Sequence, residues 1–376
     1  MESAIASSNG FNIKLLQIYR KEKEEGNIFY SSTSITIALA MLYCGAREKT
    51  KEEMEDILNL GDQHSIQEGF CCILNLFLKL PSETVLNISN MLAIDKKYKI
   101  LPEFSNSLKS NYNVETKLYD FANHPAEAQA ELNQLIEIAT NEKIKKFFPD
   151  GIITSDVCMI LANAIYFKGL WSISFNKDNT TKKPFYTIAD EEIMVDMMFR
   201  RARFRMSHSA DLNARFLEMP YIGDKISMIL MLPLEKHGIS FLENSISVDN
   251  LNNAIQNLRT VRDVRLSLPR FKLEESLPLK QCLMNMGMRN AFATDADFSG
   301  ISGKKDISIS AALHKAFVEV NEEGTEASAV TGMVMVAKSS SPPPPPTIFI
   351  VDHPFMFVIR EMSTGLILFT GSIHKL

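Results

Sequence analysis

No stretch of this chain is apolar for long enough to cross a bilayer as a helix, so no membrane-spanning segment is expected. Cysteine is scarce: Cys44, Cys71, Cys72, Cys158 and Cys282 are an odd number without zinc-ligand spacing or a Cys-x-x-Cys pair, and read as core thiols. There is one tryptophan, Trp171, and the seven histidines sit in unrelated local contexts. His-Glu-x-x-His, Gly-x-Ser-x-Gly and a phosphate-cradling glycine loop are all missing. The chain is therefore expected to have no catalytic centre, no metal and no cofactor.

Neither sign of charge dominates. Forty Lys and Arg stand against 45 Asp and Glu, a net −5, which lacks the basic excess that nucleic-acid binding draws on. One cluster, Arg200, Arg201, Arg203 and Arg205, interleaves with Phe199 and Phe204. We read it as a half-buried strand with a solvated face, not as a nucleic-acid groove. Lys143, Lys145 and Lys146 read as cations closing a helix at its negative end. Met1 to Gly10 has no basic start or apolar core of a signal peptide, so the expected location is the cytoplasm, with secretion without a cleaved signal as the alternative.

What is present is material for a large core: 376 residues, 45% of them hydrophobic. The one proline run, Pro342 to Pro346, leaves only Thr347 to Leu376 behind it, too little to bury a core alone. Residues 1–376 thus read as a single domain interrupted by a loop. Phe11, Leu15, Leu16 and Tyr19 predict an amphipathic first helix. Ser31 to Ser34 can cap the almost wholly apolar helix Ile35 to Gly45, and Thr50 with Glu53 reads as a capping box opening the next. Leu132, Leu135, Ile136 and Ala139 mark one more helical stripe. Later segments read as strands: Val157 to Phe167 with Asn163 inside it, Ile226 to Leu232, the alternations around Leu266 and Val318, and a hairpin across Ser363-Thr364-Gly365. The class is α+β with largely antiparallel sheets. Asn163 and His314 fall in such strands, where buried polar groups need partners; a network with the capping serines is expected.

Glu322 to Pro346 is the unusual stretch. From Gly324 onward it has small and β-compatible residues at alternate positions (Thr325, Ala327, Ala329), and its first charge, Glu326, lies on the other face with Ser328. It then reaches an isolated cation, Lys338, followed by Ser339 and the prolines, which donate no backbone hydrogen bonds. Two readings are open: an edge strand running into a linker, or a loop able to become a two-sided strand.

Several separated motifs resemble the serpin family. They are Asn163-Ala-Ile-Tyr-Phe-Lys-Gly-Leu-Trp171, Leu266-Ser-Leu-Pro-Arg-Phe271, Asp297-Phe-Ser-Gly-Ile-Ser302, His353-Pro-Phe355 and Gly365-Leu-Ile-Leu-Phe-Thr-Gly371. The fullest match is Phe317-Val-Glu-Val-Asn-Glu-Glu-Gly-Thr-Glu-Ala327, which is similar to the serpin hinge. The resemblance runs from about Phe11 to the C-terminus and is to the intracellular, ovalbumin-like branch.

It implies three mainly antiparallel sheets, about nine helices and an exposed reactive-centre loop, with residues 322–346 as hinge and loop. It also implies suicide-substrate inhibition of a trypsin-like serine protease at Lys338-Ser339, since the reactive residue lies sixteen positions after the hinge's first glutamate, Glu322. Glu323, Gly324, Thr325, Glu326, Ala327, Ser328 and Ala329 then complete the hinge. Ser31, Ser34, Asn163 and His314 match the polar "shutter" beneath the opening sheet, and Trp171 the "breach" where insertion begins. Ser32 stands where the family usually has proline, and the prolines lengthen the spacing from Lys338 to His353. A monomer is implied. Heparin is not expected as a partner, because the helix that would bind it, about His64 to Leu80, holds one cation, Lys79. The alternatives are a non-inhibitory serpin acting in storage or as a chaperone, and a binding module working through the polyproline run.

Overall fold

A computed structural model describes residues 1–59, 63–325 and 345–376. The helices among these residues are α1 (Glu2–Glu22), α2 (Ser32–Tyr43), α3 (Glu48–Leu58), α4 (Gln63–Phe77), α5 (Pro102–Tyr112), α6 (Pro125–Ala139), α7 (Ile239–Ser245), α8 (Val248–Gln256), α9 (Leu279–Met286) and α10 (Ser299–Ser302). The strands are β1 (Ile28–Tyr30), β2 (Thr84–Asp95), β3 (Lys117–Tyr119), β4 (Met159–Leu170), β5 (Thr181–Tyr186), β6 (Glu192–Ser209), β7 (Ala214–Pro220), β8 (Ile226–Pro233), β9 (Arg259–Pro269), β10 (Phe271–Pro278), β11 (Ile309–Val320), β12 (Gly324–Thr325), β13 (Thr347–Ile350), β14 (Phe355–Glu361) and β15 (Ile367–Ile373).

They form two hydrogen-bonded sheets. One has six strands in the order β10-β11-β12-β4-β2-β3; the other has nine, in the order β1-β15-β14-β8-β7-β6-β9-β13, with β5 on β6. Two of the three expected sheets are joined because β6, eighteen residues long, pairs with β5 up to Met197, with β9 from Met197 to Met206 and with β7 from Arg205 to Ser209. Pairing is antiparallel except at β11–β4, β2–β3 and β13–β9.

The six-stranded sheet is covered on both faces, which is why β4 reads as an unbroken apolar run. Met159, Leu161, Ile165 and Phe167 face the main core together with α2, whose twelve residues are all buried. Ile160, Ala162, Ala164 and Tyr166 face a second core with Leu132 and Ile136 of α6, Phe147, Phe148 and Phe317. Ser31 caps α2 as expected, its Oγ accepting the Ser34 N–H at 3.2 Å.

Three expectations need correction. Thr50 and Glu53 do not open a helix: α3 starts at Glu48 after Arg47, whose N–H is held by the Asp297 carbonyl at 2.8 Å. Instead they tie α3 to the 289–297 segment. The Thr50 hydroxyl bonds Asn290 and accepts the Asp297 N–H at 2.8 Å, and Glu53 accepts the Arg289 and Asn290 N–H groups at 2.7 and 2.6 Å. Lys143, Lys145 and Lys146 do not close α6, which ends at Ala139, because Asn141 and Glu142 take left-handed backbone (φ 52° and 59°). All five cysteines are free, but Cys72 is exposed and only Cys282 is fully buried. The arginine-rich strand is as expected: Phe204 is buried between exposed Arg203 and Arg205.

Thr50→Val is expected to cost about 1–3 kcal/mol in urea unfolding, because it leaves the buried Asp297 N–H without its acceptor. A loss below about 0.5 kcal/mol, the size of a change at an unimportant surface site, would show that the tie to the 289–297 segment does not matter.

Candidate functional site

The site is the one internal place where the six-stranded sheet is parallel. β11 and β4 run side by side from Ile309–Met159 to Phe317–Tyr166. Beyond that point a short third strand lies between them. The chain leaves β11 at Val320, reverses at once, and β12 pairs antiparallel with both neighbours: Thr325 with Val320, and Gly324 and Thr325 with Leu170 and Gly169 of β4. Asn321 makes the reversal. Its side-chain Oδ1 accepts the Glu323 and Gly324 N–H groups at 3.0 and 3.3 Å, and its own N–H donates to the Gly324 carbonyl at 2.9 Å.

Gly324 is required there. Its φ is +151°, and an added Cβ would sit 2.1 Å from the Gly169 carbonyl oxygen and 2.6 Å from Leu170 Cα, both backbone atoms of β4 that cannot swing aside.

Five residues hold the turn in place: Trp171, Phe175, Thr180, Lys177 and Arg270. Trp171 donates its indole N–H to the Asn321 carbonyl at 3.0 Å and its backbone N–H to the Glu323 carbonyl at 2.9 Å, with its ring stacked on Tyr221 at 4.5 Å. The Phe175 N–H donates to the Glu322 carbonyl at 2.7 Å. The Glu322 side chain is 1% exposed and receives Arg270 (2.6 Å) and the Thr180 hydroxyl. Burial pushes the Glu322 carboxyl up, but Arg270 and Thr180 outweigh it and hold it below the usual carboxylate range. Lys177 meets Glu323 at 2.6 Å.

Midway along the same joint the sheet is fastened by a polar row. Asn90 of β2, Asn163 of β4 and His314 of β11 are register partners across three strands. His314 Nε2 accepts the Ser31 N–H at 3.0 Å, so Nδ1 carries the proton and donates to Asn163 Oδ1. The Asn163 amide N–H₂ donates to Ser34 Oγ (2.6 Å), the Ser34 carbonyl (3.2 Å) and Asn90 Oδ1. The imidazole is wholly buried and faces no carboxylate, so burial pushes its pKa down to about 3.

The structure thus brings Ser31, Ser34, Asn163 and His314 into one cluster, and Trp171 against Asn321 and Glu323. Thr325 is described through its backbone alone. Glu326, Ala327, Ser328, Ala329, Lys338 and Ser339 lie outside the described residues. Sequence reading missed Asn90, Asn321, Arg270 and Thr180. Asn90 had a signal, an amide in the middle of an apolar strand. Arg270 and Thr180 had none, being 52 and 142 positions from the Glu322 that they hold.

Gly324→Ala is expected to expel β12 at a strain of about 1–3 kcal/mol, so the Trp171 and Phe175 amides should exchange hydrogen roughly tenfold faster or more. Unchanged exchange would mean that β12 does not depend on glycine. The depressed His314 pKa makes a pH prediction. The unfolded chain takes up this proton below about pH 6.5 while the native state refuses it until about pH 3. This group's contribution is therefore flat above pH 6.5 and destabilises the fold progressively as pH falls toward 3, by up to about 1.4 kcal/mol per pH unit. His314→Gln should lose that part of the slope in unfolding midpoints between pH 7.5 and 4; parallel curves would refute it.

The family model described as Serpin (serine protease inhibitor) matches residues 6–376. Human Serpin B4 is 39% identical, with 99% of each chain covered, and the leukocyte elastase inhibitor of Xenopus tropicalis is 35% identical, with 99% of each covered. Among solved structures, uncleaved ovalbumin superposes with a TM-score of 0.87 at 28% identity, covering 99% of this chain and 100% of its own. With its sheet topology, hinge turn and near-complete coverage, the chain belongs to the serpin family.

Proposed function

We propose that this protein is a suicide-substrate inhibitor of a trypsin-like serine protease, with Lys338-Ser339 as the bond attacked. The observation that carries the reading is β12: the first two residues of the hinge strand are already paired between β11 and β4. Below them the two strands meet in a parallel ladder, the less stable kind. A strand continuing from Thr325 would run antiparallel to both neighbours and replace that one ladder with two.

The chemistry is that of an arrested acyl transfer. The protease serine adds to the Lys338 carbonyl, the bond to the Ser339 nitrogen breaks, and the amine leaves with a proton. Lysine suits a specificity pocket that holds a carboxylate. Once cut, the segment after Gly324 is free to insert as a central strand and carries the tethered acyl-enzyme with it. Each added ladder hydrogen bond contributes roughly 1 kcal/mol net, and burial of Met333 and Met335 adds to that. Leukocyte elastase inhibitors among the relatives are named for the same kind of task. On this reading the protein acts as a monomer in the cytoplasm, is not an enzyme, and uses no cofactor, metal, heparin, nucleic acid or membrane.

Incubation with trypsin is expected to give a covalent complex stable in SDS, with a new amino terminus at Ser339. Lys338→Ala should abolish it. Thr325→Arg, which puts a charge in the path of the inserting strand, should convert inhibition into turnover. Clean cleavage of the wild-type loop without a complex would favour the non-inhibitory reading.

A further inference from the structure

Inhibition leaves the arginines of β6 unexplained. Arg201 is paired with Asp263 at 2.6 and 2.7 Å, and Arg205 with Glu218 at 2.5 Å. Arg200 is different. Its guanidinium lies between two rings, 5.3 Å from Phe175 and 4.5 Å from Phe204. Its Nε is buried and has no hydrogen-bond partner. Burial alone pushes its pKa down to about 10, and no acidic neighbour holds it up. The half-buried guanidinium thus has ring faces on it but no counter-charge, and its Nε donor is left unpaired.

Arg200 opens into a cleft of about 250 Å³. Its apolar lining is Phe204, Pro220, Met362 and Ile173, the last 51% exposed. The charge inside is three arginines, 200, 203 and 205, against two carboxylates, Glu218 and Asp224. Glu218 is committed to Arg205 and to Ser227 (3.0 Å), so it does not serve Arg200. Phe175, stacked on Arg200, is also the residue whose N–H holds the Glu322 carbonyl, so the cleft borders the hinge.

We propose that this cleft binds a small organic anion, a carboxylate or sulfonate carried on an apolar ring or short chain. Arg200 and Arg203 take the charged head, and Ile173, Pro220 and Met362 take the apolar body. A planar guanidinium offers paired donors to such a head, and the two rings that flank it fix its plane. A bare inorganic anion would satisfy the charge but leave the apolar lining wet.

The test is calorimetric titration of the full chain with three probes: cyclohexanecarboxylate, its uncharged amide cyclohexanecarboxamide, and inorganic sulfate. The carboxylate should saturate a single site, with the amide and sulfate each weaker by about tenfold or more. Arg200→Met, which keeps an apolar stem, should weaken the carboxylate by about tenfold or more, and Arg203→Gln by roughly two- to fivefold. The comparison of carboxylate with amide needs no variant, so it decides the matter even where Arg200→Met does not fold. No saturable binding of the carboxylate overturns the assignment, as does equal binding of the amide or equal binding by a folded Arg200→Met. Sulfate binding as tightly as the carboxylate overturns it as a site for organic anions.

Discussion

The parallel joint between β4 and β11 is the constraint on which the rest of this molecule depends. Every other neighbour of these two strands, β2, β10 and β12, is antiparallel to them. A chain that ran antiparallel between them would be geometrically welcome along their whole length, and β12 shows the first step of that arrangement. The joint is fastened by more than its own ladder. The His314–Asn163 hydrogen bond does this at mid-height, crossing from one strand to the other. The Tyr166 and Phe317 rings, 6.0 Å apart on the opposite face, cross it near the point where β12 begins.

The two fastenings differ in kind. The ring contact sits in the core beneath α6 and is nondirectional, so it can slide as strands separate. The polar row cannot slide. His314 must stay neutral, because both of its nitrogens are committed, one as acceptor from Ser31 and one as donor to Asn163. Breaking the row strands buried polar groups, each costing about 1–3 kcal/mol unless it finds a new partner. That makes the closed joint a discrete state and not one end of a continuum. Ser31 and Ser34 tie the row to the first turn of α2.

At the top of the joint the hinge turn is clamped from outside. Glu322 and Glu323 each meet a cation, but the two pairs are unequal. Lys177 is largely exposed, and a pair of that sort contributes little in water. Glu322 is buried and receives Arg270 and Thr180 together, so removing Arg270 would leave a carboxylate without a counter-charge away from water. Arg200, against the Phe175 whose N–H holds the Glu322 carbonyl, has no such counterpart. The contrast between a buried acid with two partners and a half-buried base with no counter-charge sets the β6 cleft apart from the rest of this region.

Much of this was legible in the residues themselves. Apolar β4 announced two-sided burial, and the serines before Ile35 announced a cap. These are local properties, set by side-chain size, branching and backbone donors. The helix starts and ends that failed, at Thr50 and at Lys143, failed because a neighbour distant in sequence supplied a better partner or because left-handed residues ended the helix early. What the chain alone could not determine was which strands became neighbours. The placement of β11 parallel to β4, the alignment of Asn90, Asn163 and His314 into one row, and the meeting of Arg270 and Thr180 with Glu322 are all matters of register and packing between segments far apart. Their physical content, a parallel joint fastened by a buried polar row below the turn at Asn321, belongs to the tertiary structure.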